Sequence, residues 1–378
     1  MAEPPPPPPP PVVVAAPVAA PAPVAAPAAP PPPAWNTVMK EELLVDSYYM
    51  LNFNGLSSGH TTLLPPAGRI FDTQSNSFTM NYAKLGLEVD ADPVTVRADL
   101  GYGYLGGLLT GASPGTQAFV VQQAFAAVKF PGTPLTLDMG RFVTGAGAEV
   151  IEANKNWLYS RSFLFGIIPF YHTGARLTLK ASDQFSAQLT LANSQGTPDP
   201  DINSGKVVGL QLSITPIAPL SIIATGYIGK EGPQGNAGDE KVTLDLVAAY
   251  TVSDAVGLNL NFDYIKWGDS NAVGVAAMAH FVAAEHLTFS ARGEFLKDKG
   301  ILFAPAMGVT PVSESLFEGT INAGIPFAGH FEARVELRGD FAGDPIFPGG
   351  DVTQVGLMSV DAGKKNQFTG TIAFLGFL

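Results

Sequence analysis

The sequence predicts an all-β protein, a transmembrane antiparallel β-barrel of sixteen strands preceded by a disordered Pro/Ala-rich N-terminal segment. Three observations support this fold class. Charged residues make up only 14% of the chain and apolar residues 46%, whereas soluble domains carry about 25% charged residues. No stretch is long and apolar enough for a spanning helix, which needs about 20 such residues. Polar and apolar residues instead alternate along short segments, and the connections between these segments alternate in length.

The clearest alternation lies in "HFEARVELRGDF", residues 330 to 341. Apolar side chains such as Val335 fall on one face of an extended chain, and the charged ones fall on the other: Glu332, Arg334, Glu336, Arg338 and Asp340. Side chains alternate across a strand, whereas on a helix these charges would scatter around the axis. The same period places further charged residues on the polar faces of other predicted strands: Arg97, Asp99, Asp138, Asp263, Arg292 and Glu294.

Sixteen segments have this strand-like period. They lie near residues 45–54, 76–90, 94–104, 117–130, 134–142, 169–181, 184–193, 206–215, 219–228, 240–251, 256–266, 272–282, 286–296, 314–324, 329–341 and 366–378. Short turns such as "ADP" and "PGTP" alternate with long connections at 55–75, 105–116, 143–168, 194–205, 229–239, 267–271, 297–313 and 342–365. Bacterial outer-membrane barrels have an even strand count, short periplasmic turns and long external loops. Residues 35–378 are therefore predicted to form the barrel, with fourteen or eighteen strands as alternative counts.

A soluble β-sandwich would also alternate polar and apolar residues. A sandwich exposes many charges to water, however, and its Greek-key connections differ from a simple succession of hairpins. The C-terminal "FTGTIAFLGFL" is similar to the signal by which outer-membrane barrels are recognised for insertion, although it ends in Leu378 where that signal prefers Phe. These features favour the barrel over the sandwich.

The N-terminal residues 1–34 differ in composition from the rest of the chain. Sixteen of the 33 prolines fall between residues 4 and 33, spaced by Ala and Val. Proline lacks the backbone N–H that a helix needs, so this segment is predicted to be disordered or extended polyproline II. It could act as a tether that contacts the periplasm or the cell wall through residues 4–33, or it could be a passive tail.

The sequence offers little for catalysis or cofactor binding. There is no cysteine, and the five histidines lack metal-ligand spacing: His60, His172, His280, His286 and His330. "GYGYLG" at 101 to 106 matches a dinucleotide-binding pattern, but no acidic residue follows at the required distance. A net charge of -12 argues against nucleic acid as a partner. We therefore expect no enzyme, no metal and no cofactor, with an outer-membrane hydrolase assembled across strands as the catalytic alternative.

The third long connection, 143–168, is the richest in candidate functional residues. It combines bulky aromatic residues with Glu149, Glu152, Lys155 and Arg161. In general porins of sixteen strands the third loop folds into the lumen and narrows it, and fixed charges there select among ions. The four residues are therefore predicted to form a pore constriction, with the two carboxylates facing the two cations. The alternative is a loop that lies over the mouth or at a subunit interface.

Part of this region has a recognisable sequence. "EVIEANKNWLYSRSFLFGIIPFYHTGARLTL", together with the early "DSYYMLNFN", resembles the OmpL-like family of β-barrel porins. The resemblance covers most of residues 45–378, and its specific motifs fall within about 150–180. It implies an outer-membrane porin and indicates no particular solute.

The function that these patterns predict is a passive, water-filled diffusion channel for small hydrophilic solutes and ions in the bacterial outer membrane. The expected partners are outer-membrane lipid and, by analogy with general porins, two further copies in a homotrimer. A closed barrel that anchors the envelope through its Pro/Ala-rich tail is the alternative function. The residues predicted to line the pore are Arg97, Asp99, Asp138, His172, Arg176, Lys180, Asp263, Arg292, Glu294, Glu332, Arg334, Glu336 and Arg338.

Overall fold

Sixteen antiparallel strands, joined in chain order, close into a barrel in which the last strand pairs with the first. The computed structural model describes residues 38–56, 69–111, 116–196, 204–232, 238–302, 313–349, 354–355, 358–359 and 362–378. The predicted fold class and strand count are confirmed. The Pro/Ala-rich segment 1–34 lies outside the described residues, so its disorder and its boundary stay predictions.

The barrel strands are β1 (Met39–Asn52), β2 (Ser77–Ala91), β3 (Val94–Gly103), β4 (Ala118–Lys129), β5 (Leu135–Val143), β6 (Tyr171–Lys180), β7 (Phe185–Ala192), β8 (Val207–Ile217), β9 (Leu220–Glu231), β10 (Asp239–Ser253), β11 (Val256–Trp267), β12 (Ser270–Ala284), β13 (Leu287–Lys299), β14 (Ser313–Phe327), β15 (Phe331–Ala342) and β16 (Asn366–Phe377). Strand β1 begins six residues earlier than the alternation predicts. Its charged start still pairs with β2, where Lys40 Nζ lies 3.0 Å from Glu88 Oε1.

The connections define two rims of the barrel. The turns after β2, β4, β6, β8, β10, β12 and β14 are short and form the short-turn rim, and the connections after the odd-numbered strands form the long-loop rim. One predicted long connection, 267–271, is instead a tight turn in which Gly268 adopts a positive φ of 55°. The connection after β15 contains small ladders, Phe347–Pro348 with Ala362–Lys364 and Gln354–Val355 with Met358–Ser359.

The helices within the described residues are short. They include α1 (Tyr104–Leu109), α2 (Phe163–Ile167) and a 3-10 turn at Ala153–Lys155. Among the described residues, no helix is both long and apolar enough to cross a bilayer.

The two faces of the strands differ as the alternation predicts. On β15, Val335 and Leu337 point outward and are 46% and 50% exposed, whereas Glu336 and Arg338 point inward and are each 2% exposed. Burial inside the barrel is unusual for charged groups, which need partners there. The interior must therefore supply those partners.

The alternation of β2 changes phase near Tyr82. The register between β1 and β2 shifts at Asp46, because Tyr82 pairs with Asp46 while Met80 pairs with the next residue, Ser47. Asn81 is thus the extra residue of a β-bulge. Its amide reaches inward and donates a 2.7 Å hydrogen bond to Asp46 Oδ2, so the bulge adds a polar group to the interior.

Candidate functional site

The connection between β5 and β6, residues 144–170, lies inside the barrel, and we call it the inner loop. Its first turn rests on β8 and β9, where the Gly145 carbonyl accepts hydrogen bonds from Gln211 Nε2 at 2.7 Å and from Thr225 Oγ1 at 3.1 Å. A Cβ at Gly145 would crowd the end of the Gln211 side chain, which would have to shift and would lose its hydrogen bond to the loop. The loop therefore enters the lumen directly from the end of β5.

A buried guanidinium joins the inner loop to the opposite wall. Arg292 on β13 donates from Nη1 to Glu149 Oε1 at 2.8 Å and from Nε to Glu318 Oε2 on β14 at 2.9 Å. The same Nη1 donates to the Ser160 carbonyl at 2.8 Å. All three ionic side chains are almost fully buried. A buried ion pair that loses one partner leaves an uncompensated charge, so this contact strongly favours one loop position.

Wall carboxylates also satisfy backbone amides of the inner loop. Glu336 accepts from the Tyr159 amide at 2.7 Å and from the Ser160 amide at 3.0 Å. Glu294 accepts from the amides of Phe163 at 2.8 Å and Leu164 at 2.6 Å, which are the free donors at the start of α2. An unpaired buried N–H is costly, so these carboxylates fix the conformation of the loop as well as its position.

Arginines satisfy the carbonyl groups of the same loop. Arg334 on β15 donates to the carbonyls of Ala153 at 3.0 Å and Leu158 at 3.2 Å. Arg161, within the loop, donates from Nη2 to the Ile151 carbonyl at 2.6 Å. Burial lowers the pKa of Arg161 from its ordinary value. Arg338 Nη1 in turn donates to the Arg161 carbonyl at 2.6 Å, so arginines that pair with wall carboxylates also bind the loop backbone.

The tip of the inner loop returns to β1 and β2. Glu152 pairs with Lys84 and accepts from Gln122 Nε2 at 3.1 Å. Burial by itself would raise the pKa of Glu152, but the ammonium of Lys84 outweighs burial and holds this pKa below its ordinary value. Lys155 is more exposed and lies 3.1 Å from Glu42 Oε1. Glu152 is therefore held as a carboxylate against the wall.

Apolar side chains complete the attachment. Leu158, Phe163 and Leu164 of the inner loop are at most 1% exposed and pack in one cluster with wall residues that include Ile265 and Leu296. Further along, Trp157 stacks on His280 of β12 with ring centroids 5.3 Å apart. The loop thus packs against the walls by the same burial of apolar surface that stabilises a soluble core.

The wall from β3 to β7 is covered less completely. A cavity of about 290 Å³ lies between the inner loop and strands β3 and β4, and its lining includes Arg97, Gln123, Glu152 and Lys155. The Arg97 side chain is 18% exposed and pairs with Asp99 and Glu88 at 3.0 and 3.1 Å. The interior therefore has open volume on one side, lined by charged and apolar side chains, and a packed loop on the other.

On the same open wall, Arg176 and Asp138 form a pair across β5 and β6. Arg176 Nη2 lies 2.6 Å from Asp138 Oδ2, and the guanidinium stands 4.4 Å from the centroid of the Phe142 ring. Their side chains are 17% and 9% exposed. These are among the charged groups of the open side that a solute in the lumen could reach.

Most of the predicted lining residues point into the barrel, with different surroundings. His172 is 1% exposed, and its Nδ1 lies 3.0 Å from the Ser194 carbonyl oxygen. Asp263 is fully buried and accepts from Asn261 Nδ2 at 3.1 Å. Glu332 pairs with Arg334 at 2.9 Å. Lys180 is different, because its side chain is 69% exposed at the short-turn rim and pairs with Asp183.

The four predicted constriction residues are not brought together as two opposing pairs. Glu149 and Glu152 bind Arg292 and Lys84, Lys155 binds Glu42, and Arg161 binds loop carbonyls. The sequence-based set included Arg292, the wall partner of Glu149, but it omitted other inward-facing wall residues: Glu42, Asp46, Lys84 and Glu318. The alternation of β14 could have identified Glu318, since it shares the inward face with Leu316 and Thr320. The β-bulge at Asn81 shifts the alternation of β2, so the sequence pattern did not show that Lys84 points inward.

A metal site is not evident in this interior. Among the described residues, no group of three or more His, Cys, Asp or Glu side chains is arranged to hold a metal ion. The buried carboxylates described above are instead bound by guanidinium groups, backbone amides and one ammonium.

Comparison with known proteins gives a family and a fold. A family model described as "Putative beta-barrel porin-2, OmpL-like" matches residues 40–375. No curated protein matches the sequence. Similar solved structures include Pseudomonas putida OprB at high pH, with a TM-score of 0.61, 11% identity and coverage of 91% of this chain and 95% of that chain. The anion-selective porin of Comamonas acidovorans has a TM-score of 0.56 and 11% identity, with coverage of 90% of this chain and 99% of that chain. The trimer form of in-vitro folded OmpT from Vibrio cholerae has the same TM-score, identity and coverages. At such identity these structures are evidence of the fold alone.

Proposed function

Because the chain belongs to the OmpL-like family of β-barrel porins, we propose that it is a channel of the bacterial outer membrane through which small hydrophilic solutes and ions diffuse passively. The observation that supports this most is the division of the barrel interior. The inner loop is fixed to the walls by buried contacts, while a cavity of about 290 Å³ stays open beside β3 and β4. Diffusion through such a space needs no chemistry, and no enzymatic role is proposed.

In this proposal the inner loop constricts the channel from one side. Glu149 and Arg161 hold the loop in place, and Glu152 and Lys155 border the passage together with Arg97. The solute path runs past Arg97 on β3, Asp138 on β5 and Arg176 on β6, and the buried Asp99 pairs with Arg97. The remaining predicted lining residues on β11, β13 and β15 support the loop from behind. Fixed charges at the narrowest point are the physical means of selecting among ions.

Glu42→Gln is expected to shift ion selectivity toward anions. Glu42 is a half-exposed carboxylate that pairs with Lys84, Arg97 and Lys155 at 2.9 to 3.1 Å. Removing its charge leaves three cations beside the proposed passage, and the pairs it breaks are partly exposed, so the fold should survive. The measurement is the reversal potential across a salt gradient. Glu41→Gln, at the neighbouring outward-facing position, is the control. An equal cation-to-anion permeability ratio in the two variants would contradict the proposed path.

Solute passage is tested by the swelling of proteoliposomes in neutral sugars of increasing size. The proposal predicts swelling that falls off with sugar size, because the inner loop limits the width. Folded protein that supports no swelling, even with the smallest sugars, would favour the closed barrel that anchors the envelope through residues 4–33.

The assembly and surroundings follow from the same proposal. We propose that the outward apolar band contacts outer-membrane lipid and that three copies associate, as in the trimer form of Vibrio cholerae OmpT. The long-loop rim would then face outward and the short-turn rim the periplasm, as is general for outer-membrane barrels.

A further inference from the structure

Three lysines form a group on the outer surface of the barrel at the long-loop rim. Lys266 lies near the end of β11, and Lys297 and Lys299 lie at the end of β13. All three are exposed, while the residues between and beside them, Ile265 and Asp298, are fully buried in the interior. Side chains alternate across a strand, so the three lysines point away from the lumen and toward the surroundings of the barrel.

The pairing of the strands brings these lysines together. Asn271 on β12 lies opposite Lys266 on one side and opposite Lys299 on the other. Neighbouring strands are about 4.8 Å apart, so the backbones of Lys266 and Lys299 are roughly 10 Å apart, and Lys297 is about 7 Å from Lys299 along β13. On β14, Ser313 and Ser315 lie opposite Lys299 and Lys297. The group therefore combines three ammonium groups with neighbouring amide and hydroxyl side chains.

These charges have no protein partner in the part of the chain that the structure describes. By contrast, Lys40 on β1 and Lys84 on β2 each form an ion pair with a carboxylate. Lys266, Lys297 and Lys299 form none with the described residues. The acidic residues nearest to Lys266 are Asp269, in the β11–β12 turn, and Glu240 on β10, which lies opposite Lys230. The group is thus a local positive surface on a chain whose net charge is -12.

The position of the group along the barrel axis indicates what it meets. Phe295, two residues before Lys297, packs against Phe317 of β14 with tilted rings whose centroids are 4.8 Å apart. Tyr264 precedes Lys266 by the same step. Aromatic residues of this kind mark the boundary between the apolar band and the headgroups. The lysines therefore lie one step beyond that boundary, at headgroup level. At the same rim, outward positions on β2 and β4 carry exposed Phe78 and Phe119 instead.

We propose that Lys266, Lys297 and Lys299 form a binding surface for the phosphate groups of a phosphorylated lipid in the outer leaflet. This inference rests on the proposed outer-membrane location and orientation. Lysines at a membrane surface attract anionic headgroups with about 1 kcal/mol each. Asn271 and Ser315 can add hydrogen bonds to phosphate oxygens. One lipid held here would contact β11 to β14 and no part of the lumen.

The test is binding of diphosphoryl lipid A to the folded full chain in neutral detergent, followed by native mass spectrometry. The triple variant Lys266→Gln, Lys297→Gln, Lys299→Gln is expected to bind on the order of 100-fold more weakly, from the contribution of three lysines. The matched control removes three lysines of the short-turn rim, Lys40→Gln, Lys129→Gln and Lys180→Gln, whose exposed pairs contribute little to the fold. This control should bind the lipid as the parent chain does.

Equal binding by the parent chain and the first triple variant, or an equal loss in the control, would overturn the proposal. Competition with inorganic phosphate distinguishes a site for a phosphorylated lipid from a site for free phosphate. We expect phosphate to compete only weakly with the lipid. Competition by phosphate at the lipid's own concentration would identify a site for free phosphate instead. Conductance measurements test the lipid site and the channel separately. The three lysines face away from the lumen, so the first triple variant should conduct as the parent chain does. A parent chain that binds the lipid but never conducts would refute the channel alone.

Discussion

Arg292→Met is expected to release the inner loop and to give the largest loss of stability of any change considered. Methionine fills similar space but leaves Glu149 and Glu318 buried without their guanidinium, and breaking a buried pair in this way costs about 3–5 kcal/mol. The Ser160 carbonyl loses its donor as well. We expect a lower unfolding temperature of the barrel and a higher single-channel conductance, because the loop no longer narrows the lumen.

The control for this change is Lys155→Met on the same loop. Lys155 pairs with Glu42, and both side chains are well exposed, at 44% and 38%. Exposed pairs contribute about 0–1 kcal/mol, so this variant should unfold close to the temperature of the parent chain. If Arg292→Met is as stable as Lys155→Met and conducts as the parent chain does, the loop is not held by the buried pair.

Val335→Arg is expected to impair insertion of the barrel into bilayers. Val335 lies near the middle of β15 and points outward, where it is 46% exposed. An arginine on the lipid face near the bilayer midplane costs about 2–4 kcal/mol. The measurement is the fraction of protein that folds into lipid vesicles, read from the difference in gel migration with and without boiling.

A matched arginine on the inner face separates charge from position. Gln188 on β7 points inward toward the open side and donates to Thr178 Oγ1 at 3.2 Å. Gln188→Arg adds the same charge in a polar interior, so it should fold as the parent chain does. Equal folding of the two arginine variants would mean that the outward face of β15 does not meet lipid.

The strands were predictable because their signal is local. Each barrel strand has one face toward the interior and one outward, so the period of two appears within each segment and needs no knowledge of its neighbours. This explains why β15 and β13 were placed within a few residues. The exception is the start of β1, where charged residues hid the strand, because charged side chains are accommodated at the rim by pairing with β2.

The contacts of the inner loop were not predictable in the same way. The charges of Glu149 and Glu152 are visible in the sequence, but their partners depend on which wall the loop meets. Arg292 is 143 residues from Glu149 along the chain. No local pattern encodes such a pairing, so the expectation that the loop carboxylates face Lys155 and Arg161 rested on proximity in sequence. The loop instead uses its own charges, and those of the wall, to satisfy buried backbone groups.

This arrangement has a consequence for ion selectivity. A carboxylate paired with a buried guanidinium contributes little net charge to the lumen, so Glu149 should influence selectivity mainly through the position of the loop. Arg97, which lines the open volume, and the partly exposed Glu42, which pairs with it, should act more directly. Stability and selectivity therefore depend on different residues of the same interior.

The most direct test of the proposed channel is the conductance of the purified, folded chain in a planar lipid bilayer. The account predicts discrete, long-lived steps whose size rises with salt concentration, since ions cross a water-filled passage beside the inner loop. It also predicts larger steps for Arg292→Met. Bilayers that hold the folded barrel but show no steps above the bare membrane would contradict the account.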